Sequence, residues 1–299
     1  MSDGSRSPYL GPHVVGQRVV VRRLVPGATG PTGGPAFTDV LGECVAWDPC
    51  VVVTATGERV EIPLDLIVSG KPVPPRPSVR LRASVAECES HVAGLWSSAE
   101  TAAIGAWQVR SSRTVGRKRA NSCLAVVDPG LPLSEALDAV GAAYDALGKP
   151  ALLHVEADSD LEGALLALGC TPAGGEADFL LAGVTRALRA AGRPSVAVDL
   201  SASGAHAIAE VSSACDAIAE AAASIDGDWI GIHDLLVDPS HRRRGLARSV
   251  VASLLEWGVE QGASTAWLHV ETDNAAARAL YSSLGFVEHH RMRYIALPG

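Results

Sequence analysis

The chain lacks the features that mark several large classes of protein. No stretch reaches about 18 uninterrupted apolar residues, which argues against a transmembrane helix. The opening MSDGSRSPYLGPHVVG has no basic segment ahead of an apolar run, so no secretory signal is expected and the expected compartment is the cytoplasm. Six cysteines (Cys44, Cys50, Cys88, Cys123, Cys170, Cys215) are scattered without a CxxC pair, so neither a disulfide framework nor a metal site is expected. Basic residues are too few for a bulk nucleic-acid binder, because the net charge is −8 and the pI about 5.6. An acidic surface mildly favours cationic partners, amines among them.

What remains is globular composition, 47% hydrophobic and 19% charged. At about 150 residues per domain, 299 residues suggest two domains or three small ones. In the first block, 11–73, Val19 to Val21, Val40 to Trp47, Cys50 to Thr54 and Arg59 to Ile62 read as short strands. Thr56-Gly57 reads as a hairpin turn, and Pro26 to Pro35 as a Gly/Pro-rich mobile loop. Short strands without a helix suggest a small β-barrel of SH3-like size. Lys71 to Pro77 (KPVPPRP) reads as an extended linker.

The rest alternates strands and helices, and it repeats itself. Leu153 to Gly169 (LHVEADSDLEGALLALG) and Leu268 to Gly285 (LHVETDNAAARALYSSLG) each place a His-Val-Glu strand before a short helix closed by Leu-Gly. Each final glycine suits a left-handed helix terminus. Both copies carry Val-Asp-Pro upstream, at Val127 to Pro129 and Val237 to Pro239. The first copy is five residues shorter between these landmarks, and it lacks a counterpart of Ser240 to Gly245.

That extra segment carries chemistry. Trp229 to Val237 reads as a buried strand ended by Pro239, and Leu246, Val250, Val251, Leu254 and Leu255 recur at helical spacing. Between them lies His241-Arg242-Arg243-Arg244-Gly245-Leu246-Ala247. A helix start leaves N–H groups unpaired and carries partial positive charge. Gly245 and Ala247 allow close approach, and three arginines crowd the same turn. Together these make a pyrophosphate cradle.

Arg242 to Ala247 resembles the R/Q-x-x-G-x-G/A acyl-CoA loop of GCN5-related N-acetyltransferases. Asn274 to Phe286 (NAAARALYSSLGF) resembles that family's downstream N-x-x-A-x-x-L-Y-x-x-x-G-F signature. The clear resemblance covers about Trp229 to Ile295. Through the repeat it extends to a degenerate first copy, so the chain resembles actinobacterial acetyltransferases with an SH3-like domain before a tandem unit. Arg119-Ala120-Asn121-Ser122 is similar to a run in such proteins. The expected architecture is therefore α/β, a tandem mixed-sheet fold of this family behind the small barrel. The expected domains are 11–73, a degenerate unit 78–190 and a catalytic unit 191–299.

The resemblance implies acetyl-CoA as cosubstrate, held in a splay of the sheet at Trp229 to Val237. Leu235, Leu236 and Val237 would offer backbone to the pantetheine arm. Arg242, Arg243, Arg244, Gly245, Leu246, Ala247 and Arg248 would hold the pyrophosphate. Asn274 would cap its helix and contact CoA. Tyr281 would be the general acid that protonates the departing thiolate. Candidate bases are His233, Asp234 and Glu271, with deprotonation through water as a further route. Strand alternation puts His233 and Asp234 on opposite faces.

The basic run Arg110 to Arg119 (RSSRTVGRKR) reads better as a charged hairpin around Gly116 than as a nucleic-acid contact, because no aromatic residue interleaves. Trp96 and Trp107 read as core. The Ala-rich segment Ile208 to Ile225 is ambiguous between helix and strand. The expected function is transfer of acetyl from acetyl-CoA to a primary amine by direct displacement, with the amine either a small molecule or a protein lysine. The competing reading is an acyl-CoA-binding or protein-interaction module with little turnover. No membrane partner is expected.

Overall fold

The computed structural model describes residues 10–30, 33–54, 57–73, 79–96, 98–213 and 216–298. The chain divides after Pro77 into two compact units. No helix among the described residues is long and apolar enough to cross a membrane.

The first unit is one antiparallel sheet of β1 (Arg18–Thr29), β2 (Pro35–Trp47), β3 (Cys50–Thr54), β4 (Arg59–Ile62) and β5 (Ile67–Pro72), in the order β4-β3-β2-β1-β5. Period-two alternation turns Val19, Val21, Val40, Cys44, Cys50, Val52 and Ile62 into one buried core. β4 and β5 end this order without pairing to each other among the described residues, so the expected closed barrel is an open sheet by its hydrogen bonds. Of the expected loop at Pro26 to Pro35, Pro26 to Thr29 end β1 and Pro35 starts β2, while residues 31 and 32 lie outside the described residues. The β1–β2 ladder skips from Leu24↔Phe37 to Thr29↔Pro35, and this irregularity leaves room for Pro26 and Gly27. Gly57 takes φ 83° in the predicted turn, while Thr56 lies outside the described residues. Lys71 and Pro72, read as linker, close β5 and pair with Val20 and Val19 of β1. Residues 74–77 of that linker lie outside the described residues.

The second unit begins with α1 (Val85–Ser90), β6 (Ala99–Ile104), β7 (Trp107–Ser112) and β8 (Cys123–Leu124). It continues through α2 (Leu133–Ala146), β9 (Leu152–Glu156), α3 (Asp160–Ala167), β10 (Thr171–Pro172), β11 (Ala177–Gly183) and α4 (Val184–Ala191). Then come β12 (Asp199–Ser203), β13 (His206–Ser213), β14 (Asp216–Asp226) and β15 (Trp229–Val237). It ends with α5 (Leu246–Glu260), β16 (Thr265–Glu271), α6 (Ala275–Ser283) and β17 (Val287–Ala296). The strands make one mixed sheet in the order β12-β13-β14-β15-β16-β11-β17-β9-β8-β7-β6, with β10 on β17. Two pairs are parallel, β15 with β16 and β8 with β9, and each is bridged by a helix, α5 or α2.

The repeat is visible in three dimensions. Ser159 Oγ accepts from the Glu162 N–H at 3.2 Å to start α3, and Asn274 Oδ1 accepts from the Ala277 N–H at 3.1 Å to start α6. Gly169 and Gly285 end them with φ of 87° and 83°. The ambiguous Ala-rich segment is the hairpin β13–β14. Ala207, Ala209, Val211, Ala219, Ala221 and Ala223 alternate inward, and their small side chains let α5 lie close on the sheet. β11 sits between β16 and β17, so a strand of the first copy completes the sheet of the second.

The two faces of this sheet bury different clusters. Ile230, Ile232, Leu268 and Val270 pack with α5 and with Tyr281 of α6. Trp267, Phe179 and Trp229 pack with Cys88, Val92 and Leu95 from α1 and the turn that follows.

Candidate active site

β15 and β16 pair only at Trp229↔Thr265, Ile230↔Ala266 and Gly231↔Trp267, and beyond that they part. Gly231 stands at the fork because a Cβ there would lie 2.6 Å from the Trp267 ring and 2.7 Å from Leu95. A cavity of about 280 Å³ occupies the opening. From the α5–α6 side it is lined by Ile232, Leu235, Leu236, Asn274, Ala277 and Tyr281. The opposite side adds Trp96, Arg117, Arg119, His233, Asp234, His269 and Glu271.

Several residues named from the sequence therefore meet in one place: His233, Asp234, Leu235, Leu236, Glu271, Asn274 and Tyr281. Val237 and the loop residues 242–248 do not line the cavity; they follow it at the end of β15. There Asp238 caps the turn Pro239–His241, accepting from the Ser240 N–H at 2.8 Å, and the Ser240 hydroxyl above all, with His241 and this N–H, holds its carboxyl down at about 2. Arg244 donates to the Ser240 carbonyl at 3.3 Å and Arg242 Nε to the Val237 carbonyl at 3.4 Å. Arg243 and Gly245 both take left-handed backbone, φ 62° and 80°, and turn the chain sharply into α5. Gly245 gives α5 no side-chain cap, so the first-turn N–H groups at Leu246 and Ala247 are left for another acceptor. Arg248 is committed elsewhere, to the Ala190 carbonyl and Ser283 Oγ, both at 2.8 Å.

Tyr281 is buried against Phe286, and loss of hydration pushes its phenol well above the ordinary tyrosine range. Its hydroxyl is a proton donor at neutral pH. His233 and Asp234 do not point apart as regular alternation predicts. The β14–β15 register slips by one residue at this point, and Asp234 takes φ 53°. This bulge brings the two side chains together, with His233 Nδ1 2.9 Å from Asp234 Oδ2. A carboxylate only accepts, so Nδ1 carries the proton and Nε2 keeps its lone pair. The bond from His233, aided by an ion pair with Arg117, lowers the Asp234 carboxyl below its ordinary value. Trp96 meets the His233 ring edge-on at 5.7 Å.

Sequence reasoning missed Trp96, Arg117, Arg119 and His269, and assigned Trp96 to the core. The repeated His-Val-Glu was the one local signal for His269. The charged-hairpin reading of Arg110 to Arg119 is also corrected. Arg110 is buried on β7, donating to the Ser122 carbonyl at 3.2 Å and to His154 Nδ1 at 3.2 Å. Lys118 Nζ holds the Ala173 carbonyl at 2.8 Å.

Beneath the Trp96–His233 side of the cavity lies a polar seam. Glu89 of α1 is fully buried, with His269 Nε2 at 2.7 Å and His290 Nε2 at 3.1 Å from its Oε1. Burial alone would raise this carboxyl, but His269 and His290 outweigh burial and keep it ionised. The repeat-related His154 lies beside it without bonding it, its Nδ1 3.6 Å from Oε2. Glu89, His154 and His269 could in principle converge on a cation, as could Cys88, His289 and His290. Arg110, however, takes the His154 lone pair and adds its own positive charge, so the first set fits a proton network better than a metal.

Comparison with known proteins agrees with this geometry. Residues 185–295 match the family described as "Probable histone acetyltransferase Rv0428c C-terminal", and residues 13–71 match "Rv0428c N-terminal Sm-like domain". The [Ribosomal protein bS18]-alanine N-acetyltransferase of Escherichia coli K12 is 44% identical over 61 residues, which is 20% of this chain and 41% of that protein. The uncharacterized N-acetyltransferase YobR of Bacillus subtilis is 38% identical over 69 residues, 22% of this chain and 28% of that one. The chain thus spans well under two thirds of these relatives' length. A GCN5-related N-acetyltransferase from Kribbella flavida superposes with a TM-score of 0.58 at 18% identity, covering 74% of this chain and 96% of that one.

Proposed function

The second unit belongs to the GCN5-related N-acetyltransferase superfamily, and on that premise we propose that the protein transfers an acetyl group from acetyl-CoA to a primary amine by direct displacement. One observation carries the reading. The fork after Gly231 opens on a cavity faced by Tyr281 on one side and by the His233–Asp234 pair on the other. The thioester supplies the acetyl group. The backbone at Leu235 and Leu236 extends along the opening, and the uncapped N–H groups behind Gly245 suit a pyrophosphate.

His233 Nε2 takes the proton from the attacking amine, while Asp234 fixes the ring and balances the imidazolium that forms. Tyr281 returns a proton to the leaving thiolate. Arg242, Arg243 and Arg244 add positive charge at the loop. Asn274 keeps α6, and therefore Tyr281, in place. Glu271 lies at the cavity's exposed edge and is the less suited base, since no described partner orients it. The ribosomal protein alanine named for the Escherichia coli relative supports an amine as the class of acceptor, and not the individual substrate.

The test is calorimetric titration with acetyl-CoA followed by an amine screen. Micromolar binding, about −8 kcal/mol, is expected with one site per chain. Gly245→Val, which forces a branched side chain into left-handed backbone, should abolish it. Tyr281→Phe and His233→Ala should bind acetyl-CoA as tightly as wild type while turnover falls about 100-fold. Unimpaired turnover in either variant removes that residue from the mechanism.

A further inference from the structure

We propose that Arg119 forms an anion subsite on the acceptor side of the cavity, so that the acceptor is a primary amine bearing a carboxylate, as in a free α-amino acid. The inference rests on the acetyl-transfer reading for the amine half of the molecule. The anion half stands on its own geometry.

Arg119 belongs to the short turn Lys118–Ala120 and lies against the Tyr294 hydroxyl. Burial raises that phenol and Arg119 opposes the rise. Tyr294 in turn stacks on His154 at 4.6 Å, on the face that carries Glu89 and His269. Trp96 and His233 share this face, and Tyr281 stands on the other. Arg119 is therefore placed where the acceptor enters.

Three of its four basic neighbours in the run are engaged. Arg110 is bonded to Ser122 and His154, Arg117 is paired with Asp234, and Lys118 holds the Ala173 carbonyl. The buried carboxylate of this face, Glu89, gives its Oε1 to His269 and His290 and makes no ion pair with Arg119. Arg119 makes no ion pair among the described residues, and its Nε is sealed from solvent without an acceptor. A guanidinium does not lose its proton, so this charge cannot be relieved by titration. The guanidinium lines the cavity with no carboxylate of the described residues paired to it, and its planar fork matches a carboxylate.

The same wall offers carboxylates to an ammonium, from Asp234 and from Glu271. A cavity with separate acidic and basic groups complements a zwitterion. At about 280 Å³ it falls at the small end of ligand pockets, which suits a compact acceptor beside the acetyl end of CoA.

The experiment uses the full chain, with and without CoA, titrated by calorimetry with free α-amino acids, each against its own carboxamide. The same pairs are then assayed for acetylation by release of CoA thiol. The acid is expected to bind, and to lower KM, by about 10–100-fold relative to the amide. Arg119→Gln should erase most of that preference, raising Kd and KM for the acid far more than for the amide, and Arg119→Lys should restore part of it. Equal use of acid and amide, an undiminished preference in Arg119→Gln, or no binding of any amino acid overturns the subsite. Carboxylate binding that depends on Arg119, in a protein that turns over none of the panel, supports the subsite and counts instead against acetyl transfer.

Discussion

The Ala83 carbonyl can only accept, so the His289 Nε2 that lies 2.9 Å from it carries a proton. Burial keeps His289 neutral, which leaves its Nδ1 as an acceptor. His290 Nδ1, 2.7 Å away, must then donate. The remaining His290 nitrogen faces Glu89 Oε1 at 3.1 Å, so the seam runs from the Ala83 carbonyl through both histidines to the buried carboxylate. His269 completes it as a neutral ring, donating from Nε2, with burial driving its pKa down to about 4. In the unfolded chain this histidine returns to about 6.5. Below that value the unfolded state takes up a proton that the folded state refuses, so stability falls as pH drops from about 6.5 to about 4. The upper bound for this one group is about 3 kcal/mol. Thermal denaturation across that range should show the decline, and His269→Gln should flatten it; an equal slope in the variant would refute the assignment.

At the scale of elements, the fork depends on one missing side chain. Gly231→Ala would press a methyl into Trp267 and Leu95, both well packed. A loss of about 1–3 kcal/mol is expected in urea unfolding, with weakened acetyl-CoA binding because β15 must shift. The elements around this fork were legible because their signals are local. The strand before Pro239, the glycine-led helix α5 and the Asn-capped α6 each declare themselves within a dozen residues. The bulge at Asp234 was not legible, since alternation assumes an even ladder and one extra residue breaks the parity. The last two residues of β5, Lys71 and Pro72, read as linker because lysine and proline are poor strand formers, and their pairing with β1 overrides that. The Trp96–His233 wall of the cavity was hidden for another reason. Glu89 and His269 are 180 residues apart, and Arg117 meets Asp234 across more than a hundred, so no window of sequence contains both partners.

At the scale of the whole molecule, the two copies cannot be separated cleanly. β11 hydrogen-bonds β16 on one side and β17 on the other, and Asp178 on it is fully buried between Arg278 and Arg291, each at 2.7 Å. A fragment of residues 191–299 would present two bare strand edges where β11 belongs. It should aggregate when expressed alone and become soluble, with recovered acetyl-CoA binding, when residues 78–190 are co-expressed; a soluble, CoA-binding fragment by itself would disprove the dependence. Residues 79–299 should by contrast fold without the first unit, because each unit has its own core.

The position of β11 also bears on birth order at the ribosome. Synthesis delivers β11 well before β16 and β17, so the strand that lies between them in the sheet exists when its flanking strands emerge. The older half then serves as a template for the younger. A first copy that has lost its phosphate loop keeps this duty, and a circularly permuted gene that placed residues 191–299 ahead of residues 78–190 would forfeit it.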